Sequence, residues 1–170
     1  ASAKSWWVNT GSWTCAMPSA SIEAVVARLK QIVASSASRE TKAKLIADTV
    51  REYGNHRWVG VYDVNPNEIA AVAWSGPAAP AHPRFPIDHG LSAAAVKTGC
   101  TVIANDVSKD ARYLRTLETT GAEMIVPVTN GARVIGTLDL ESETVGRFGE
   151  SDRVFVECCA DAIRGLWESA

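Results

Sequence analysis

Hydrophobic positions recur along this chain at two different periods, and the change of period marks out its elements. Ile22, Val25, Val26, Leu29, Ile32 and Val33 return at three- and four-residue spacing, which predicts an amphipathic helix over 19–35. The Ser35-Ser36-Ala37-Ser38 stretch ends it. A second helix is predicted near 39–53, with Leu45, Ile46 and Val50 apolar and Gly54 as its stop. The period then falls to two. Trp58 to Val64 reads as a strand, Asn65-Pro66-Asn67 as a turn and Ile69 to Trp74 as the returning hairpin partner. Residues 76–90 hold four prolines and Gly76 and read as an irregular loop. Leu91 to Thr98 is a short helix stopped by Gly99, and Thr101 to Ala104 a short strand. A polar connection follows over Asn105 to Thr120, with a helical turn expected around Asp110 to Leu114. Two strands near 123–129 and 133–141 are joined by Asn130-Gly131, a strong hairpin signal. A final helix runs from Ser151 to Trp167, with Val154, Phe155, Cys158, Ala162, Ile163 and Leu166 on one side.

Hairpins bracketed by helices indicate an α+β fold, an antiparallel sheet with the terminal helices on one face. The long loop and the short middle helix must then cover the other face, which leaves a hollow between sheet and loops where a small ligand can sit. Residues 19–170 form one expected domain. Residues 1–18 form an arm without periodicity, with Trp6, Trp7 and Trp13 around Asn9-Thr10-Gly11. So apolar an arm is expected to dock on the domain or on a partner.

Composition narrows the function classes. The 170 residues carry 17 Lys+Arg against 19 Asp+Glu, a net charge of −2. No cationic surplus exists to neutralise phosphates, so no nucleic-acid partner is expected. No long apolar run predicts a membrane helix, and the first residues lack a signal peptide's apolar core. The four cysteines, Cys15, Cys100, Cys158 and Cys159, include no CxxC pair, and His56, His82 and His89 have no zinc-like spacing. Free thiols in a reducing compartment, the cytoplasm, and no metal site are the expectation. No cofactor is implied.

The candidate chemistry lies on the strands. Along 133–141, Arg133, Ile135, Thr137, Asp139 and Glu141 alternate onto one face, and Val134, Leu138 and Leu140 onto the other. Glu123 on the neighbouring strand would oppose Leu138 across a two-residue turn, or Asp139 across a three-residue loop. In the second register three carboxylates converge, an arrangement that invites an ammonium, a guanidinium or a metal. Alternatively, Arg112 or Arg115 pairs with the acids and pins the preceding loop. Trp58 and Tyr62 face the same way with Gly60 between them, and a central glycine leaves room for something to approach the sheet. Such an aromatic pair beside acids suits an amine or a thioether, and equally suits plain core packing.

Several segments together carry a family resemblance: Trp58-Val-Gly-Val-Tyr62, Gly90-Leu91-Ser92-Ala93-Ala94-Ala95, Asn105-Asp106-Val107, Asp110-Ala-Arg112-Tyr113-Leu114, Glu123-Met-Ile-Val-Pro127-Val128, Val134-Ile-Gly136-Thr-Leu-Asp139 and Phe148-Gly-Glu-Ser-Asp152. In this order they resemble a GAF domain over about residues 20–168. The resemblance implies an antiparallel sheet of five or six strands with a ligand cavity on one face, and often a homodimer through the terminal helices. Within that family the chain is similar to the free methionine-(R)-sulfoxide reductases. Those enzymes hold the free amino-acid sulfoxide with a Trp and a Tyr from the first strand and acids from the last two, and the matching residues here are Trp58, Tyr62, Glu123, Asp139 and Glu141, a Glu replacing an Asp at the last. Their cysteines would fall near His82, at Ser92 and near Thr116, none of which is Cys. A sulfoxide reductase needs a thiolate to attack sulfur, so the expected function is a sensory or small-ligand-binding domain without redox catalysis, its guest amino-acid-like or cationic. The alternative is a reductase with displaced cysteines, for which Cys100 is the catalytic candidate.

Overall fold

In the computed structural model, which describes residues 19–115 and 117–168, the two hydrophobic periods become two layers. The helices are α1 (Ser19–Ala34), α2 (Arg39–Tyr53), α3 (Gly90–Thr98) and α4 (Glu150–Ala162). The strands are β1 (Trp58–Val64), β2 (Glu68–Ser75), β3 (Arg84–Pro86), β4 (Val102–Ala104), β5 (Ala122–Asn130) and β6 (Arg133–Ser142). They form one sheet in the order β3-β2-β1-β6-β5-β4, and every neighbouring pair is antiparallel. This is the expected α+β architecture, with six strands. The arm at 1–18 lies outside the described residues.

One face of the sheet is the main core. Val59, Val61, Met124, Val126, Leu138 and Leu140 pack there against Val25, Leu29 and Ile32 of α1, Ile46 and Val50 of α2, and Phe155, Val156 and Cys159 of α4. The opposite face carries two smaller clusters. Trp58, Tyr62 and Ile69 form one, and Leu91 and Ala95 of α3 with Ala104 and Ile125 form the other. Terminal helices on one side and α3 with the loops on the other are the arrangement expected from the sequence.

Several local expectations are corrected. Within 76–90, Arg84–Pro86 joins the sheet as β3, its Phe85 opposite Ile69 of β2; prolines fit an edge strand, where one side needs no ladder donor. The helical turn expected around Asp110 to Leu114 occurs earlier, as a 3₁₀ turn at Val107–Lys109 capped by the Asp106 carboxylate on the Ser108 N–H. The last helix ends at Ala162 and a 3₁₀ turn at Arg164–Leu166 follows. Its buried face is Phe155, Val156, Cys159, Ala160 and Ile163, while Val154 is exposed, as is Leu45 of α2. The i, i+4 series 155–159–163 sets that face.

The β5–β6 turn sets the site. Asn130 pairs with Arg133, so Gly131 and Ala132 are the turn residues, and Gly131 takes the left-handed φ of +59°. A bulge at Ile135 follows, and Val128 pairs with Gly136. With Asn130 paired to Arg133 the regular partner of Glu123 would be Leu140, and the bulge adds one residue, so Glu123 comes opposite Glu141, neither Leu138 nor Asp139. It also moves Val134 into the cluster of Trp58 and Tyr62 and puts Ile135 against the main core. The strict alternation expected along β6 holds only after the bulge.

Candidate functional site

Strand register builds the site row by row. Trp58 of β1 pairs with Glu141 of β6, Glu141 with Glu123 of β5, and Glu123 with Ala104 of β4. One step along, Gly60 pairs with Asp139 and Asp139 with Ile125. A further step pairs Tyr62 with Thr137. All five residues expected at the site from the sequence therefore share the face away from the terminal helices. Trp58 is 0% exposed, Tyr62 2%, Glu141 1%, Asp139 5% and Glu123 6%.

Like charges directly opposite on a sheet are destabilising, and a buried carboxylate loses its hydration as well. Both effects favour the protonated acids. Burial pushes Glu123 well above the ordinary carboxylate range, and the charges of Glu141, Asp139 and Asp110 push the same way. Burial raises Asp139 to about 7; the Ser92 hydroxyl opposes the rise and Glu141 adds to it. The Tyr62 phenol is likewise pushed up by burial and by the three acids. Among the described residues neither Glu123 nor Asp139 joins a salt bridge. Arg112 pairs with Asp110 at 2.6 Å, and Arg115 is exposed, so the arginine pin weighed from the sequence does not form with Arg112.

Hydroxyls donate to two of the acids. Ser92 of α3 donates to Asp139 Oδ2 at 3.3 Å, and Thr120 donates to Glu141. Asp139 Oδ1 is buried with no hydrogen-bond partner. In the sequence Ser92 stands out only as the replacement for a thiol; nothing in a lone serine announces that α3 aims it at an acid 47 residues on. The aromatic pair is tied into the loops. The Trp58 indole N–H donates to the Ala78 carbonyl at 3.0 Å, and the Tyr62 ring meets Phe85 edge-on at 6.1 Å.

The hollow is smaller than expected. A Cβ on Gly60 would come within 2.5 Å of the Trp58 ring and 2.6 Å of the Tyr62 ring, so the two rings themselves fill the room above that glycine. What remains is about 10 Å³, walled by Tyr62, Phe85, Gly90, Leu91, Ser92, Leu114, Glu123 and Asp139. That is room for about one water. Outside it lies an open cleft of about 710 Å³ between α3 and residues 111–114, which shares Gly90 and Leu114 with the inner space.

The thiols lie elsewhere. Cys100 is exposed just past the end of α3 and lines a separate cleft with Val126, Pro127, Arg153 and Glu157. Cys159 is buried in α4 against the main core, Cys158 beside it is half-buried, and Cys15 lies outside the described residues. His82 and His89 are exposed, and His89 Nδ1 lies 2.7 Å from Asp88. Among the described residues no group of three or more His, Cys, Asp or Glu side chains is placed to hold a metal ion, and no helix is long and apolar enough to cross a membrane.

Residues 36–164 match the family model described as GAF domain. This chain belongs to the GAF-domain family. GAF domain-containing protein A of Dictyostelium discoideum is 27% identical over 112 residues, 65% of this chain and 70% of that protein. Among solved structures, the free methionine-R-sulfoxide reductase from Neisseria meningitidis in complex with its substrate is 25% identical, with a TM-score of 0.77 over 87% of this chain and 89% of that one. The GAF domain of an Acinetobacter phosphoenolpyruvate-protein phosphotransferase superposes with a TM-score of 0.78 over 91% of this chain and 96% of that one, at 18% identity, and so shares the fold.

Proposed function

We propose that this GAF domain is a cytoplasmic sensor module that binds a small zwitterionic or cationic molecule of the amino-acid class on the face of Trp58 and Tyr62, without redox catalysis. One observation carries the reading: Glu123, Asp139 and Glu141 are buried together, and Asp139 keeps a bare oxygen. Three clustered acids repel one another, and a guest ammonium relieves that repulsion in a setting of low dielectric. Trp58 and Tyr62 offer ring faces beside the same acids. Gly90, Leu91 and Ser92 at the start of α3 border the space, so the N–H groups of its first turn present the positive end of the helix to a guest carboxylate. The likeness to a reductase solved with its substrate supports the amino-acid class.

The positions of Ser92 and Cys100 support the reading without redox chemistry. Ser92 borders the inner space, and an alcohol does not perform thiolate chemistry on a sulfoxide. Cys100 lines the other cleft. The competing reading, a reductase using Cys100, predicts consumption of free methionine sulfoxide by the reduced protein that disappears in Cys100→Ser. Our reading predicts no turnover in either protein. Turnover that depends on Cys100 would overturn it.

Binding is tested by a thermal-shift screen of free amino acids and simple amines, including methionine and both its sulfoxides, with Asp139→Asn beside the parent. A guest at a hundredfold excess over Kd stabilises by about 2.7 kcal/mol. The expected result is a shift in the parent that Asp139→Asn loses. A screen without hits, or with hits indifferent to Asp139, would refute the proposal.

A further inference from the structure

The inner space and the outer cleft are separate volumes, about 10 Å³ and 710 Å³, that meet at Gly90 and Leu114. No amino-acid-sized guest fits the inner one as it stands, because ligand pockets commonly measure about 300–1,000 Å³. A wall must move, and the wall's composition shows which part. On the sheet side stand Glu123, Asp139 and Tyr62, fixed by paired strands. On the α3 side stand Leu91, 2% exposed, and Ser92, 4% exposed. Leu114 differs. It is half-buried, as is Phe85, but Phe85 is held in β3 by pairing with Ile69, whereas Leu114 lies in no helix or strand.

The seam is unusually bare on its other side. Gly90 has φ +77°, and a Cβ built there would lie 3.5 Å from the Leu114 Cβ. Glycine contributes no side chain, so Leu114 supplies the side chain where the two volumes meet. We propose that Leu114 is a gate: guests enter from the cleft beside α3 when the Leu114 side chain swings away from Gly90, and its size sets both the rate of entry and the bulk of guest accepted. This rests on the box being a binding site, yet the gate is testable with no guest.

The experiment places a thiol inside the box and times its labelling. In Ser92→Cys the sulfur takes the position of a hydroxyl that borders the inner space and touches Asp139. The tryptic peptide 85–97 contains no native cysteine, so mass spectrometry reads that one site despite the other thiols. A neutral alkylating reagent, iodoacetamide, is the probe. We expect slow labelling with Leu114 present and at least tenfold faster labelling in Ser92→Cys with Leu114→Ala. Phe85→Ala is the comparison. Phe85 also borders the inner space and lines a different open cleft, of about 550 Å³ beside Asn65 to Glu68, so it tests the alternative entry; because Phe85 is held by strand pairing, its loss is expected to change the rate less than threefold. If Leu114→Ala does not fold, Leu114→Val serves, with a smaller acceleration expected. Faster labelling through Phe85→Ala than through Leu114→Ala would overturn the gate. So would labelling that rises only in proportion to lost global stability, measured by urea melts of the same variants. Fast, Leu114-dependent labelling with no hit in the amino-acid screen would keep the gate and reject the proposed guest.

Discussion

At the scale of single residues, the acids give the clearest signs. The protonated Asp139 is favoured in the folded state, since its carboxyl rises from 3.8 to about 7 on folding. Its contribution to stability is therefore complete below pH 4 and is lost as pH rises through 7, to the extent of roughly 4 kcal/mol. Asp139→Asn is expected to raise the melting temperature at pH 8 and to change little at pH 4, checked by melts in the absence of guest. Gly60 gives a steric prediction. Its Cβ position is occupied by ring atoms of Trp58 and Tyr62, so Gly60→Ala is expected to destabilise by about 1–3 kcal/mol through overpacking, read by urea denaturation. The shared sheet face of the candidate residues was legible in the sequence, because period-two alternation on β1 and β6 placed Trp58 with Tyr62 and Asp139 with Glu141. Ser92 and Leu114 were not. Each comes to the box through a distant packing partner, and no local pattern in α3 or in the 111–115 connection points to the sheet.

At the scale of elements, the α–β–β order was legible because hydrophobic period and turn chemistry agree, as they do at Gly54, Gly99 and Gly131. The register of β5 on β6 was not, because the turn falls one residue later than Asn130-Gly131 and a bulge leaves no periodic trace. Ile135 is an ordinary strand residue, and only the pairing shows that it is the extra one. The shift strengthens the candidate site, since it seats Glu123 against Glu141. Another element-level feature is the clasp at Asp63, near the end of β1. Arg39 at the start of α2 binds Asp63 through both guanidinium nitrogens, at 2.5 and 3.1 Å, and the Trp167 indole N–H donates to it at 2.7 Å. Trp167 fills the space beside Gly136 and lies 5.8 Å under the Arg39 guanidinium. The clasp thus ties the C-terminal turn to α2 and the sheet. Asp63→Ala is expected to cost about 2 kcal/mol, seen as a lowered urea midpoint and as earlier hydrogen exchange in 160–167.

At the scale of the whole molecule, two buried groups on opposite faces shape the pH response. His56 sits between the Phe148 and Phe155 rings at 6.1 and 6.2 Å, and both its ring nitrogens are buried without partners. Burial lowers it to about 4, with the Arg147 charge acting the same way against Asp152. The neutral ring is favoured on folding, so its stability is present above pH 6.5 and lost as pH falls toward 4, roughly 3 kcal/mol in all. Asp139 moves stability the other way across much of the same interval, and Glu123 acts with Asp139. His56 offsets only one of these two acids, so the parent's stability is expected to fall as pH rises from about 4.5 to 6.5. His56→Leu should steepen that decline, and Asp139→Asn should flatten it, both read from urea melts across that range. Parallel profiles in all three proteins would show that these groups do not set the response. The six-stranded layer over three helices was legible as a fold class. The near-closure of the hollow was not, because it depends on how Trp58, Tyr62, Phe85 and Leu114 pack together across four separate segments.

The account stands on the buried acids taking up a guest's positive charge, and titration calorimetry of the strongest guest tests this most directly, run at pH 6 and pH 8 in two buffers of different ionisation heat. With Asp139 titrating near 7, the ionised box is the binding form. Affinity is predicted to rise roughly tenfold between those pH values, with protons released on binding. Affinity that does not change with pH, with the same heat in both buffers, would contradict it.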